Sequence, residues 1–359
     1  MIFQDRAVAV RSVRQLGAYP NHRTDSWLMV GQDGGQSIAI GEKTLFVFSD
    51  TLMAARRALQ GRAAPSPIPT SQVTGQGIFL ANCAALAPTD APTMRAALAG
   101  LRYYQDAEEI PREILSPSDD ERAAGLRFWP EHGIFLDGKV YLYYLGIETL
   151  DHSSVWAFRN RGAGLAVLDP ETGVAEIVRR DDDWNLWPAA GDADDVHFGV
   201  QVVKEGAYVY VFGSVRRQVY TTTARLARVA AASIANPDAY EFFGGEGGAP
   251  CWTAERTAAR DLGVCSDEYS VSYNPYLGRY VMVYTYAYHK TLWLRTASML
   301  EGPYGAPLAV GVLPSRASSE LAYLAWEHPT FCENDGETIY ISYSQPHFTP
   351  NGLLALRFR

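Results

Sequence analysis

The chain has 359 residues, with 31 Lys+Arg against 40 Asp+Glu and a formal net charge of −9. That length can bury a core without staples, and an acidic chain with no basic run excludes a nucleic-acid backbone as partner. A hydrophobic fraction of 47% excludes disorder, no apolar run is long enough for a membrane-spanning helix, and 21 Tyr, 14 Phe, 8 Trp, 31 Gly and 20 Pro suit many short strands joined by turns.

In the opening segment Arg6, Arg11 and Arg14 interrupt every apolar stretch. No secretory signal is read there, so the sequence as given is expected in the cytoplasm, or outside the cell if a signal preceded it. From Gln36 onward a unit recurs: a polar start, a short strand, a Gly-containing turn and an aromatic or β-branched strand. Its first copy is Gln36–Ile40, Gly41-Glu42-Lys43 and Thr44–Phe48, with Gly77–Leu80 as a following strand. Residues 54–69 read as a loop over a site, and residues 86–125, with Pro88, Pro92, Pro111 and Pro117, as an insertion. The second copy joins Gly133–Leu136 to Lys139–Tyr144 through Asp137-Gly138, the strongest short hairpin signal. The third joins Phe198–Val203 to Tyr208–Phe212, the fourth Tyr269–Tyr273 to Tyr280–Tyr284, and the fifth Pro329–Cys332 to Thr338–Tyr343.

Five such repeats at irregular intervals predict an all-β, five-bladed β-propeller occupying residues 1–359 as one domain, with the Pro-rich insertion between blades one and two. The fifth repeat lacks a fourth strand, which Ala7–Val10 can supply. A β-sandwich with long insertions is the competing architecture. The four cysteines show no C-x-x-C spacing, so zinc is not expected; buried thiols are, with a Cys251–Cys265 bridge open to an exported protein.

Hairpin register about the Gly41-Glu42 turn places Asp33 opposite Asp50, at a Cβ spacing of roughly 4.5–5.5 Å. Two carboxylates so close repel, and one resists ionising, as acid/base work requires. The competing reading is local: Asp33-Gly34-Gly35 as a turn and Asp50 as a cap. Every repeat has an acid at its first strand's start: Asp33, Glu131, Asp195, Glu268 and Glu327. In a propeller these converge on one channel mouth, flanked by Trp129, His132, His197, Tyr269, Trp326 and His328. Rings that stack on C–H faces, beside carboxylates that accept hydroxyl hydrogen bonds, suit a polyhydroxylated ligand. Asp181–Asp183 and Asp192–Asp195 lack EF-hand spacing and read as solvated loops, although a channel of this kind could hold calcium or another structural ion. No cofactor is otherwise required.

Asp33-Gly34-Gly35-Gln36-Ser37 followed by Thr44–Thr51 resembles the opening of a propeller family catalogued as domain of unknown function 4185. Glu268–Asn274, His328–Phe331 and Ile339–Ser344 fit the same pattern, so the resemblance runs from about Asp25 to Phe358 outside the insertion. That family includes endo-D-arabinanases and is similar to five-bladed glycoside hydrolases. The resemblance implies a glycosidase cleaving an arabinan-type furanoside or related glycan. It makes Asp33 and Asp50 the leading catalytic pair, and Glu131, Asp195 and Glu268 candidates for the acid or for holding hydroxyls. Ser49 stands where the family's Phe-Gly-Asp-Thr form has glycine, and the missing signal sits awkwardly with a cell-wall substrate. The alternatives are a lectin-like propeller and an intracellular enzyme acting on a glycosylated metabolite. Oligomeric state is not legible.

Overall fold

The computed structural model describes residues 8–20, 22, 24, 27–55, 77–88, 91, 93–151, 157–189, 196–218, 221–244, 251–286, 290–314, 321–346 and 349–359. The chain opens with β1 (Val10–Ala18). Blade one holds β2 (Trp27–Ile40), β3 (Lys43–Ala55), β4 (Gly77–Leu80), β5 (Cys83–Ala87) and β6 (Arg102–Tyr103). The α1 helix (Met94–Ala99) precedes β6, and α2 (Asp119–Ala123) leads into blade two. Blade two has β7 (Leu126–Leu136), β8 (Lys139–Thr149), β9 (Phe158–Asp169), β10 (Val174–Ile177) and β11 (Trp187–Pro188). Blade three has β12 (Val196–Glu205), β13 (Tyr208–Gln218), β14 (Thr221–Ala230), β15 (Glu241–Phe243), β16 (Trp252–Thr253) and β17 (Val264–Cys265). Blade four has β18 (Ser270–Asn274), β19 (Arg279–Thr285), β20 (Thr291–Ala297) and β21 (Leu308–Val312). Blade five has β22 (Tyr323–Glu327), β23 (Thr338–Gln345) and β24 (Thr349–Phe358), with β1 as its outer strand.

The ring is visible in how the core divides. Phe128, Val140 and Leu142 pack with Ile38, Leu45 and Val47 between blades two and one. Tyr143 and Leu165 meet Val209 and Val211 between blades two and three. Phe212 and Leu226 meet Met282 and Tyr284 between three and four, and Val283 and Leu294 meet Ile341 and Leu354 between four and five. Phe46 and Phe48 then meet Tyr340 and Leu353, which returns blade five to blade one. Each sheet thus buries both faces, and five interfaces make the predicted propeller.

Local chemistry explains the hairpins. Asp137 and Gly138 both have positive φ, 48° and 83°, as a two-residue type I′ turn demands, and Leu136 pairs with Lys139. Three expectations move. The first strand of blade five is β22, not Pro329–Cys332. Pro329 cannot donate to the ladder, and Pro329–Phe331 forms a 3-10 turn instead. The closing strand is Val10–Ala18; Ala9 only accepts from the Arg359 N–H at 3.0 Å. The third strand of blade one is split, with β5 continuing where β4 stops, and both pair with β3. Within residues 86–125, β6 pairs with β5, and Met94, Ala97 and Leu98 of α1 join the core beside Phe48. Residues 56–69 of the anticipated loop lie outside the described residues. All four cysteines are free; Cys83 and Cys265 are buried and Cys251 is exposed.

Candidate active site at the channel mouth

The innermost strands of four blades carry register slips: Gln32 to Gln36 in β2, Pro130 to Gly133 in β7, Phe198 to Gln201 in β12 and Tyr323 to Trp326 in β22. Bulges bend a strand and re-aim its side chains. In β2 the ladder pairs Gln32 with Thr51 and Gly34 with Phe48, so Asp33 faces the Ser49-Asp50 step rather than sharing a direct rung with Asp50. Gly34 and Gly35 hold φ of 82° and 103°, a kink that only glycine takes without strain.

The two carboxyls still meet. Burial raises Asp33 to about 7, the Asp50 charge adds to this, and a hydrogen bond from Tyr323 at 2.8 Å opposes it. Burial raises Asp50 to about 6, against Arg127, whose Nη1 lies 3.7 Å from Oδ2, and Trp129, whose Nε1 donates to Oδ1 at 2.7 Å. Trp129 is thereby fixed: Phe158 meets its ring edge-on at 5.0 Å and Arg127 lies over it at 5.1 Å.

A second acidic pair stands nearby. Glu131, delivered by the β7 bulge, is 4% exposed, and its Oε2 has no hydrogen-bond partner among the described residues. Burial and the charges of Glu268 and Asp267 push its carboxyl well above the usual range. Glu268 rises to about 8 through burial and Asp267, opposed by Arg216, and it also feels Asp33. Arg216 pairs with Asp267, which accepts from the Thr222 hydroxyl at 2.9 Å. Asp33, Asp50, Glu131 and Glu268 therefore share one electrostatic neighbourhood. Asp195 lies outside the described residues.

Of the other predicted ligand-binding side chains, His132, His328 and Trp326 gather around Ser37 and one another. His132 Nε2 faces the Ser37 carbonyl at 3.1 Å, and its Nδ1 accepts from the Val202 N–H at 3.1 Å, which fixes the neutral Nε2–H tautomer. His328 lies between the hydroxyls of Ser37 and Ser342, 2.9 Å from each. Burial lowers His132 to about 4 and His328 to about 3, so both are uncharged links between blades. Glu327 is 3% exposed, rises to about 7 through burial, and accepts from Ser272 at 2.5 Å. Trp326 packs beside the His132 ring at 5.5 Å. Tyr269 is fully buried, its hydroxyl donating to the Gly213 carbonyl at 2.7 Å. His197 is half-buried, with Nε2 2.9 Å from the Ser214 hydroxyl.

Sequence reasoning missed Arg127, Arg216, Asp267 and Tyr323. Arg127 had a signal, because Arg127, Trp129 and Glu131 alternate along one strand. Tyr323 has none, because its approach to Asp33 depends on a partner 290 residues away and on a strand with no hairpin signal of its own. No group of three or more His, Cys, Asp or Glu suited to a metal occurs among the described residues.

Solved structures with a similar fold include the following. A candidate hydrolase from Bacteroides ovatus ATCC 8483 is similar, with TM-score 0.66 and 14% identity over 93% of this chain and 87% of its own. A family 117 glycoside hydrolase from Zobellia galactanivorans has TM-score 0.49 and 10% identity, covering 97% of this chain and 90% of its own. Arabinanase Arb43A from Bacillus subtilis has TM-score 0.42 and 8% identity, covering 91% and 96%. No curated protein matches significantly. The family model described as a domain of unknown function (DUF4185) matches residues 19–348, nearly the whole propeller, and the chain belongs to that family.

Proposed function

We propose that this protein hydrolyses a glycosidic bond, with Asp33 and Asp50 as the reacting carboxyls. The carrying observation is that one hairpin holds two carboxyls, Asp50 buried and Asp33 half-buried, in unlike surroundings. Asp50 has a guanidinium and an indole N–H that favour its ionised form. Asp33 faces the Asp50 charge and keeps its proton to higher pH. Neighbouring titratable groups whose surroundings separate them mark an acid and its partner. Asp33 then gives its proton to the leaving glycosidic oxygen, while the Asp50 carboxylate attacks the anomeric carbon or activates the water that does. In either case the C–O bond breaks with its electron pair leaving on the oxygen that receives the proton.

Glu131 and Glu268, kept protonated beside one another, are suited to donate hydrogen bonds to ring hydroxyls. An arabinan-type furanoside is the substrate class that the family resemblance supports. Asp33→Asn and Asp50→Asn assayed singly on arabinan, arabinofuranosides and fructans test the proposal. Each is expected to lower kcat at least about 10²-fold. Full activity in both variants, or glycan binding without turnover by the native protein, would sink it.

A further inference from the structure

Asp33 belongs to blade one but is held by blade five. At the start of β22 the register slips between Tyr323 and Trp326, and Leu324 takes φ of 51°. A leucine in that region is strained, and such strain persists only where the surroundings over-determine it. The slip aims the Tyr323 phenol at Asp33, with Oη donating to Oδ1 at 2.8 Å. Two more strands of the same blade hold the next residue. Ser344 Oγ accepts from the Gly34 N–H at 3.0 Å, and Asn351 Nδ2 donates to the Gly34 carbonyl at 2.7 Å. Ser344 and Asn351 are buried. The carboxyl and the backbone after it are thus fastened by β22, β23 and β24.

We infer that Tyr323 is a positioning residue for Asp33, fixing which carboxyl oxygen carries the transferable proton. The inference rests on the reading of Asp33 as the acid. With the phenol donating to Oδ1, that oxygen is an acceptor in both protonation states, so the proton resides on Oδ2. Oδ2 is then the atom that delivers it to the leaving oxygen. Asp50 on β3 and Glu268 before β18 also face Asp33, and both oppose its ionisation. Tyr323 is the facing group that favours ionisation, because a hydrogen bond strengthens when its acceptor becomes charged.

Carboxyl ¹³C NMR on the full chain labelled at aspartate, without sugar, tests the tether. Asp33→Asn identifies the Asp33 resonance, whose midpoint is expected near about 7. Tyr323→Phe is expected to raise that midpoint by about one pH unit. A fluorinated tyrosine at position 323 keeps the shape and makes the phenol a stronger donor, so it should lower the midpoint. That variant also covers the case in which Tyr323→Phe does not fold. A midpoint that moves in neither variant overturns the inference. The alkaline limb of arabinan hydrolysis in Tyr323→Phe should move upward with the midpoint, with kcat reduced more than KM is raised. A moved midpoint in protein that hydrolyses no sugar supports the tether and defeats the glycosidase reading instead.

Discussion

Trp129 Nε1 donates to Asp50 Oδ1 at 2.7 Å, joining an aromatic residue of blade two to a carboxylate of blade one. The bond favours ionised Asp50, and so does the Arg127 guanidinium. Trp129→Phe keeps the ring and removes the donor. A hydrogen bond to a charged group is worth about 1.5–3 kcal/mol, so Asp50 should titrate at least about one pH unit higher. The acidic limb of the activity profile moves up with it. A limb that stays in place would show that Trp129 serves only packing.

The pH–rate profile of the native protein should be a narrow bell. On the proposed mechanism, activity needs Asp50 ionised, at about 6, and Asp33 protonated, below about 7. The optimum therefore falls between these values, and the two limbs belong to the pair jointly. Initial rates on arabinan from pH 4 to 9 check this, and a plateau extending above pH 8 contradicts it.

Much of the ring was readable because hairpins are local. Asp137-Gly138 dictates its own turn, and the continuous apolar run Val140–Leu145 marks a strand buried on both faces. The proximity of Asp33 and Asp50 is legible for the same reason, although bulges shift the simple hairpin register between them. A bulge depends on tertiary partners such as Ser344 and Asn351, which are more than 300 residues from Gly34. No local pattern announces it. His132 and His328 stand at blade junctions for a tertiary reason that no local pattern carries: each ring bridges neighbouring blades through Ser37.

Stability should carry the signature of the raised Asp33 carboxyl. In the unfolded chain Asp33 ionises near ~3.9, but in the fold it holds its proton to about 7. Between these values the native state binds more protons than the unfolded state, so stability falls as pH rises. Asp33→Asn removes that contribution. Its melting temperature should fall less steeply than that of the native protein from pH 4 to 7, and the variant should be the more stable of the two at pH 8. Parallel curves would mean that Asp33 is well solvated.

Gly35 is a point where backbone and site coincide. Its φ is 103°, and a Cβ there would lie 3.2 Å from the Phe48 ring. Gly35→Ala should cost roughly 1–3 kcal/mol from the forbidden backbone conformation. Because the kink aims Asp33, activity in the surviving folded fraction should fall further than stability alone explains. Activity per folded molecule, with the folded fraction taken from a urea titration, separates the two effects.

Ring closure depends on β1, the outer strand of blade five, which lies far from its partner β24 in sequence. β1 runs antiparallel to β24, with pairs from Val10–Phe358 to Ala18–Gly352. Asn351 and Gly352 stand at the end of that ladder, and the Tyr19 N–H donates to the Asn351 carbonyl at 2.7 Å. Asn351 in turn holds Gly34, beside Asp33. Deleting residues 1–18 therefore bares the β24 edge, invites edge-to-edge association, and loosens the clamp on the proposed acid. The truncated protein should melt at lower temperature and lose activity. Adding the 1–18 peptide in trans should restore part of both, because the missing interaction is a strand ladder that a separate chain can supply. If truncation leaves activity unchanged, blade five does not position Asp33 through this strand.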